Sequence, residues 1–530
     1  MIMRPSRRLP FLFSLLLALM ATSCHRDRLI DPAQTDFIYV EGNSLKLHGE
    51  PFFPMMLNYI VCFQSTPDGS FIVAPDTHYD STGYVEAWGK EAVKEQLDGH
   101  FQLIKEMGFN TLRICFDRTG KDDEGIYYGA GEQKFHLGNS QDEQAILQGM
   151  KEFLAIAEAH GLRVMLLITP PLGNTDIEKF TIRMLKTLQD CPTLFAYDFM
   201  NEPLYFDPVE KRKKSEALKL VTHWKELMTK YAPYQLLTIG FSEPIEVFEW
   251  DPSMLPVDFV EFHTYHPLRV ASEIYWYSKY VGKPWMVGET GLPADGDSIS
   301  YEEQASFLCE TYQLVRDAGG CGYGWWEFQE YSGAHYEAQY TGLLNHDGRT
   351  QTADGKHTIM GTIKPAGRCV KSLVDYKPQS VKRPVNYYNM LGYKNIRITG
   401  TIIDQRTKQP IEGAVIRGWN EWWSVGMNTY SDENGHFTLY SNDECVHFEI
   451  SAPGKSKAKF NKKITYRCDS GEKFDVNNLP NRMLEYHHIS HHPFLDRSDT
   501  TALPVLQFRA EEFNQYKWAG EMGTVMLRDE

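Results

Sequence analysis

The sequence predicts an α/β fold, a closed (β/α)8 TIM barrel, followed by a small all-β sandwich domain. Short apolar runs alternate with stretches of helical periodicity from about residue 35 to residue 376. Strict alternation of strands and helices implies a parallel sheet, and eight such units are the number that closes a barrel. From residue 396 onward the pattern changes to short alternating strands, which indicates a separate β domain.

Eight apolar runs in this region have the length of buried strands. They cover residues 53–60, 111–116, 163–168, 194–200, 235–240, 259–265, 284–287 and 322–328. Segments between them, such as 144–160 and 302–318, repeat apolar residues every three or four positions, which is typical of an amphipathic helix. The longest insertion, residues 64–90, follows the first strand, and we expect it to form a wall of a cleft.

The chain divides into four predicted segments. Residues 1–23 form a signal peptide, residues 24–376 the barrel, residues 377–395 a linker and residues 396–530 the sandwich. The sandwich segment contains a hairpin signal with Asn434-Gly435 at the turn. The run that begins at residue 396 resembles the carboxypeptidase regulatory-like β-sandwich modules, and this resemblance implies a domain without chemistry of its own.

The composition excludes one class of function. The chain has 530 residues and a net charge of −16, which argues against nucleic-acid binding because that function requires a basic face. A neutral substrate such as a glycan is compatible with this charge. The oligomeric state is not specified by the composition.

The N-terminus carries a predicted targeting signal. Three arginines in the first eight residues precede an apolar run at residues 10–20, and Ala-Thr-Ser-Cys24 follows. This motif resembles a bacterial lipobox, which implies attachment of lipid to Cys24. We therefore expect an exported lipoprotein of the cell envelope, anchored on the periplasmic or surface face of the outer membrane. A plain secretory signal with an incidental cysteine is the alternative.

Eight further cysteines follow Cys24 without any C-x-x-C spacing, so we expect no zinc site. Export permits disulfides, and Cys445 and Cys468 lie in the same predicted domain, but the sequence leaves their pairing open. The histidine-rich run 487–492 has no acidic or cysteine partner at a familiar spacing, and we expect no functional metal there.

Two glutamates stand at the ends of predicted strands. The run 195–200 leads into Asn201-Glu202-Pro203, and the run 284–287 leads into Gly288-Glu289. An acid at the carboxyl end of a buried strand lies where a (β/α)8 barrel places its chemistry. Glycoside hydrolysis requires two such acids, one to protonate the leaving oxygen and one to attack the anomeric carbon. Glu202 and Glu289 are therefore the predicted catalytic pair, and two solvated loop acids are the alternative.

Four motifs along residues 35–376 resemble the clan A glycoside hydrolases, most of all family 5, which contains cellulases and mannanases. They are Gly108-Phe-Asn-Thr-Leu-Arg113, Asn201-Glu202-Pro203, His263-Thr264-Tyr265 and Gly288-Glu289, in the order of the family. The family also tends to carry a histidine near the end of the third strand, where this chain reads Ile-Thr-Pro-Pro. The resemblance implies that Glu202 is the acid and base and that Glu289 is the nucleophile.

Elementary electrostatics assigns roles to the neighbours of this pair. Arg113 would keep Glu289 ionised, because a nearby positive charge lowers the pKa of a carboxyl group; a structural salt bridge is the alternative. Tyr265 could hydrogen-bond Glu289, and His263 could hold the sugar or Glu202. We expect a less polar environment around Glu202, so that it retains its proton near neutral pH.

Three further predictions concern contacts with a sugar. Asn201 could donate to the 2-hydroxyl. Trp325 and Trp326 face opposite sides of their strand, so only one can line the barrel mouth. The resemblance to family 5 implies that Trp326 is the sugar platform, with core packing as the alternative. Trp419, Trp422 and Trp423 form a cluster in the sandwich, for which packing against the barrel is the favoured interpretation and sugar binding the other.

The sequence as a whole predicts a lipid-anchored, retaining glycoside hydrolase that cleaves a β-linked oligo- or polysaccharide by double displacement. No cofactor or metal is expected, because carboxylates fill both roles. A non-catalytic glycan-binding lipoprotein on the same scaffold and a transglycosylase are the alternatives. The sugar and its linkage depend on the shapes of loops, which the sequence does not specify.

Overall fold

The computed structural model describes residues 31–66, 70–76, 79, 89–116, 119–129, 134–331, 339–386, 389, 396–424, 426–469 and 518–530. The predicted signal peptide, Cys24, most of the tip of the first insertion and the run 487–492 lie outside the described residues. Within the described ranges, no helix is both long enough and apolar enough to cross a membrane.

The predicted barrel is confirmed as a closed sheet of eight parallel strands. In chain order they are β1 (Met55–Tyr59), β2 (Thr111–Phe116), β3 (Arg163–Ile168), β4 (Leu194–Asn201), β5 (Leu236–Phe241), β6 (Val260–His263), β7 (Trp285–Glu289) and β8 (Tyr323–Trp325). Each strand overlaps a predicted apolar run, because burial on both faces requires nearly continuous apolar sequence.

Helices cover the outside of the barrel. They are α1 (Lys90–Met107), α2 (Ser140–Ala159), α3 (Thr175–Leu188), α4 (Lys214–Tyr231), α5 (Val270–Tyr280), α6 (Tyr301–Asp317) and α7 (Pro365–Cys369). Local sequence sets their ends: Asn139 caps the start of α2 by accepting from the N–H of Gln141, and Gly108 ends α1 in the left-handed region, with φ 107°.

The amino-terminal end of the barrel is closed by a small meander. Its strands are Tyr39–Glu41, Ser44–Leu47 and Glu50–Pro51, and its buried Ile38 and Leu45 pack against side chains that point into the barrel, including Met165. A hairpin of Val61–Ser65 and Phe71–Pro75 follows β1. The floor of the barrel is therefore apolar and filled, whereas the chemistry-bearing residues collect at the carboxyl end.

The second domain consists of two four-stranded sheets. Its strands are β9 (Ile396–Asp404), β10 (Val415–Trp419), β11 (Gly426–Tyr430), β12 (His436–Ser441), β13 (His447–Ser451), β14 (Ala458–Asn461), β15 (Tyr466–Cys468) and β16 (Trp518–Leu527). The sheet orders are β12-β9-β16-β15 and β11-β10-β13-β14, which is consistent with the predicted sandwich. A separate core that includes Ile398, Leu439 and Phe448 fills the space between the sheets.

Buried polar contacts join the sandwich to the barrel. The Nζ of Lys214, at the start of α4, donates to Asp251 at 2.9 Å and to the carbonyl oxygens of Ala452 and Lys455 at 3.2 and 2.6 Å. Val415 of β10 lies in the apolar core of the barrel. The sandwich is thereby held beside α4, α5 and the loop that follows β5.

Candidate active site

Glu202 lies immediately after β4 in an unusual backbone conformation. Its φ of 39° and ψ of 70° are left-handed, a region that L-residues seldom occupy and that is typical of functional sites. Its N–H donates to the carbonyl oxygen of Gly240 at 2.6 Å, and Pro203 then begins a short helix, Pro203–Phe206. These restraints fix the direction in which the carboxyl group leaves the strand.

Glu289 ends β7 and is buried. Its Oε2 accepts from the Tyr265 hydroxyl at 2.5 Å, and its Oε1 accepts from Nη1 of Arg113. Burial alone raises the pKa of Glu289, but the positive charges of His263 and Arg113 and the hydrogen bonds from Tyr265 and Arg113 outweigh burial and lower that pKa. The carboxylate is therefore held in the ionised form.

Arg113 is fully buried and touches several acceptors at once. Its Nη2 donates to Asp198 and to Asn201, each at 2.8 Å, and its Nη1 donates to Asn58 at 3.0 Å. Its Nε lies 3.1 Å from Oε1 of Glu261. Arg113 thus contacts Glu289 and also makes ion pairs with Asp198 and Glu261, so a role as charge partner of Glu289 and a role as structural salt bridge are compatible.

His263 ends β6 and lies among three acids. Its Nδ1 is 2.8 Å from Oε1 of Glu202 and 3.5 Å from Oε1 of Glu289, and its Nε2 is 3.5 Å from Oε1 of Glu261. Burial lowers the pKa of His263, but the surrounding carboxylates outweigh burial and raise that pKa to about 10. At neutral pH His263 is therefore a second cation beside Arg113.

Sequence reasoning missed Asp198 and Glu261, which form an acidic layer below the two glutamates. Both are fully buried, and burial together with the charge of Glu261 raises the pKa of Asp198 to about 7. Glu261 lies two residues before His263 on the same strand, so both side chains point into the barrel. A charged residue at an inward position of an apolar strand was the signal that could have revealed each of them.

Two glycines make room for this layer. A Cβ atom on Gly240 would lie 3.0 Å from Nε2 of His263 and 3.1 Å from Oδ2 of Asp198, and one on Gly288 would lie 1.8 Å from Oε1 of Glu261. Only glycine is therefore compatible with the close approach at residue 288.

The environment of Glu202 is different from the one expected. The charged imidazole of His263 contacts its carboxyl group, where a less polar neighbour was expected, and the side chain is 17% exposed. Glu289 is less accessible, at 8% exposure of its side chain.

The two predicted sugar contacts occupy the rim of the site. Asn201 turns its Oδ1 toward Arg113, since an arginine can only donate, and its amide N–H groups remain as donors. Trp326 is partly exposed, whereas Trp325 is fully buried and donates its indole N–H to the carbonyl oxygen of Thr341 at 3.1 Å. The structure thus brings all seven predicted barrel residues to the carboxyl end of the sheet.

The donor atoms of Glu202, His263 and Glu289 lie within 4.8 Å of one another, a spacing that could hold a metal ion. The carboxylates of this set already have cationic partners. The surrounding carboxylates raise the pKa of His263, which with Arg113 supplies positive charge to them, and a metal ion would have to displace the proton of His263.

No family model and no curated protein sequence matches the chain. Its fold is similar to that of an endo-1,4-beta-mannanase from Rhizomucor miehei, with 13% identity, a TM-score of 0.40, and coverage of 55% of this chain and 90% of the mannanase. It is also similar to the exo-beta-1,4-mannosidase Op5Man5 from Opitutaceae bacterium strain TAV5, with 16% identity, a TM-score of 0.43, and coverage of 63% and 61%. A third similar structure, GH5_18 from Streptomyces cattleya, has 14% identity, a TM-score of 0.43, and coverage of 67% and 85%. These are distant likenesses of fold, and the assignment of function rests on the site itself.

Proposed function

We propose that the protein is a retaining glycoside hydrolase that cleaves β-linked oligo- or polysaccharides. The observation that carries this proposal is the pair of carboxyl groups on β4 and β7, of which Glu289 is buried and kept ionised by two cations while Glu202 is partly exposed. One buried anion beside one accessible carboxyl group is the arrangement that acid-assisted displacement at an anomeric carbon requires.

The spacing of the pair supports retention of configuration. An oxygen of Glu202 and an oxygen of Glu289 lie within 4.8 Å of each other. Retaining enzymes hold their carboxyl groups about 5–5.5 Å apart, whereas inverting enzymes leave about 6.5–9.5 Å for a water molecule between the acid and base.

In the first step Glu289 attacks the anomeric carbon while Glu202 gives its proton to the leaving oxygen, so that one C–O bond forms as another breaks. In the second step Glu202 takes a proton from water, the water oxygen attacks the same carbon, and Glu289 leaves as a carboxylate. Arg113 and Tyr265 hold the two oxygens of Glu289 during attack. The amide N–H of Asn201 would donate to the 2-hydroxyl.

The test is to incubate the purified protein with a panel of plant, yeast and host glycans and to follow the anomer of the first product by NMR. Retained configuration is the expected result, and an inverted first product would overturn the mechanism. Failure to hydrolyse any glycan or aryl glycoside would favour the glycan-binding alternative. Products longer than the substrate, formed at the expense of hydrolysis, would favour the transglycosylase.

We also propose that the enzyme is exported and anchored by lipid at Cys24. Three early arginines, the apolar run and the cysteine support this proposal. Cys24→Ser should move the protein from the membrane fraction to the soluble fraction, with Cys191→Ser as the matched control. Retention of the Cys24→Ser protein in the membrane fraction would contradict the proposal.

A further inference from the structure

Large aromatic side chains are exposed on both domains near the catalytic end of the barrel. Tyr205 and Phe206 are 57% and 61% exposed and belong to the short helix that directly follows Glu202. Trp422 and Trp423, in the turn between β10 and β11, are 77% and 49% exposed. The favoured expectation that these tryptophans pack against the barrel is therefore wrong for Trp422 and Trp423.

Hydrogen bonds of Asn420 hold the described part of the turn that carries the tryptophans. Asn420 accepts from the N–H of Ser424 at 2.9 Å and donates to Asp443 at 3.0 Å, which closes the turn and ties it to a neighbouring loop. Trp423 has a φ of 58°, a left-handed conformation that is an outlier for a bulky residue and is concentrated at functional sites. Trp423 thus combines a strained backbone conformation with a side chain that is about half exposed to solvent.

The ring of Trp423 is also fixed by its neighbours. It stacks on His447 with a centroid distance of 4.2 Å and an interplanar angle of 9°, and it lies 5.2 Å from the ring of Trp419. His447 and Trp419 are register partners on β13 and β10. Trp419, Trp423 and His447 therefore form one cluster of contacting rings, and the exposed Trp422 adjoins Trp423 in the chain. We call these four residues the tryptophan platform.

A chain of contacts connects the tryptophan platform to the catalytic acid. The guanidinium of Arg417, on β10, lies 4.6 Å from the ring centroid of Trp419 and 5.6 Å from that of Phe248 in the loop after β5. In the same loop Glu243 accepts from the Tyr205 hydroxyl at 3.0 Å. Contacts between described residues therefore lead from the short helix after Glu202, through this loop, to the tryptophan platform of the second domain.

We propose that the tryptophan platform is a glycan-binding surface that extends the catalytic cleft on the side of the leaving group and takes a neutral polysaccharide chain. Glu202, which would protonate the leaving oxygen, is the catalytic residue next to Tyr205 and Phe206, so the path to the platform starts on the leaving-group side. Flat aromatic faces stack on the apolar C–H faces of sugar rings. This inference rests on the proposed function for its direction along the cleft.

The charges around the platform favour a neutral glycan. Lys459 lies 5.3 Å from the ring centroid of Trp423, and Lys459 pairs with Glu449 at 2.8 Å. Arg417 is close to Glu449, its register partner, and its charge also interacts with those of Glu243 and Glu249. Because the basic side chains are balanced by acids, the surface has no excess of positive charge that would select an anionic polymer.

The experiment uses the full chain with Trp422→Ala and Trp423→Ala combined, and Trp518→Ala as the matched control. Trp518 is also exposed, at 46%, but it lies in the other sheet of the sandwich. The KM of the double variant for soluble polysaccharide should rise about tenfold, with an unchanged kcat/KM for a small aryl glycoside. The KM of the wild-type protein should fall as the oligosaccharide substrate becomes longer. The KM of the double variant should not depend on substrate length in this way.

Binding is measured separately in a Glu289→Gln background, by retardation in gels that contain glucomannan, mixed-linkage β-glucan or xylan. Loss of retardation in the double variant, but not in Trp518→Ala, would support glycan binding by the tryptophan platform. This result would hold even if the wild-type protein hydrolysed no glycan, and only the proposed function would then be refuted. Equal retardation and equal KM in folded wild-type and double-variant proteins would overturn the inference. Absence of binding to every polymer would overturn it as well and would leave a protein partner as the occupant to test.

Discussion

Glu261 lies directly behind Gly288, so that a Cβ atom at residue 288 would come within 1.8 Å of its Oε1. The glycine that precedes Glu289, the proposed nucleophile, is thereby coupled to a buried acid on the neighbouring strand β6. Any side chain at residue 288 must displace Glu261 and, with it, the ion pairs that Glu261 makes with Arg113 and His263.

Gly288→Ala should therefore lower the free energy of unfolding by about 3 kcal/mol or more and abolish turnover, because both the packing and the ion pairs around Glu289 are disturbed. Urea denaturation and assay on an aryl glycoside measure the two effects. The control is Gly89→Ala, where an added Cβ atom meets nothing within 4 Å. A Gly288→Ala protein of wild-type stability would show that the site tolerates the displacement of Glu261.

Glu261→Gln should change the pH dependence of stability. The pKa of His263 is raised in the folded state to about 10, above its unfolded value near 6.5, so its contribution to stability is complete below pH 6.5 and is lost as the pH rises through about 10. Removing the charge of Glu261 lowers the pKa of His263, so the loss of stability that begins above pH 6.5 should end about one pH unit lower than in the wild-type protein.

Urea unfolding from pH 6 to pH 10 measures this shift. Glu226→Gln, at an exposed position of α4, is the matched control and should leave the pH profile unchanged. Identical profiles for the wild-type and Glu261→Gln proteins would mean that Glu261 does not help to hold the charge on His263.

The two proposed catalytic roles should separate in substitutions to alanine. Glu289→Ala should reduce turnover by about a thousandfold or more on every substrate, since no attacking carboxylate remains. Glu202→Ala should be as severe on natural glycans but should retain partial activity on aryl glycosides with good leaving groups, which require little protonation. Glu226→Ala is the control, and wild-type rates on a natural substrate in both site variants would refute the assignment.

Cys309 and Cys369 should form a disulfide under oxidising conditions. Their Sγ atoms lie 3.3 Å apart, on α6 and at the end of α7. With oxidised glutathione the two thiols would lose two protons and two electrons, and the glutathione would be reduced to two thiols. Closing a loop of about 60 residues should stabilise the fold by about 4 kcal/mol.

Intact mass and unfolding with and without a reductant would measure this bond, and Cys309→Ser is the matched control. A wild-type protein that keeps all its thiols after oxidation would contradict the prediction. Cys445 and Cys468, whose pairing the sequence left open, are both free thiols in the structure. Cys445 is buried and Cys468 is exposed.

Much of the fold could be predicted from local patterns, because buried parallel strands require apolar runs. The runs of β4, β7 and β8 lead directly into Glu202, Glu289 and Trp326 at the same end of the barrel. The parallel pairing of β16 with β9 could not be predicted, since it joins residues 396–404 to residues 518–527 across a long intervening segment.

The limits of prediction were similar within the site. Motifs identified Glu202, Glu289 and Arg113, whose neighbours in sequence are distinctive. Glu261 was hidden because its role depends on Gly288, which belongs to another strand and contributes only the absence of a side chain. The exposure of Trp423 was equally hidden, because it depends on how the sandwich docks on the barrel.

That docking gives the last prediction. Lys214 is buried and forms an ion pair with the buried Asp251. It also donates to two carbonyl oxygens of the sandwich. Lys214→Ala leaves the Asp251 carboxylate buried without its cation, so it should cost about 3 kcal/mol in the free energy of unfolding. Lys219→Ala, at an exposed position of the same helix, is the control. The active site lies elsewhere in the barrel, so turnover of an aryl glycoside by the folded Lys214→Ala protein should stay at the wild-type rate. A loss below about 1 kcal/mol would mean that the domains are held together mainly by their apolar contacts, such as that of Val415.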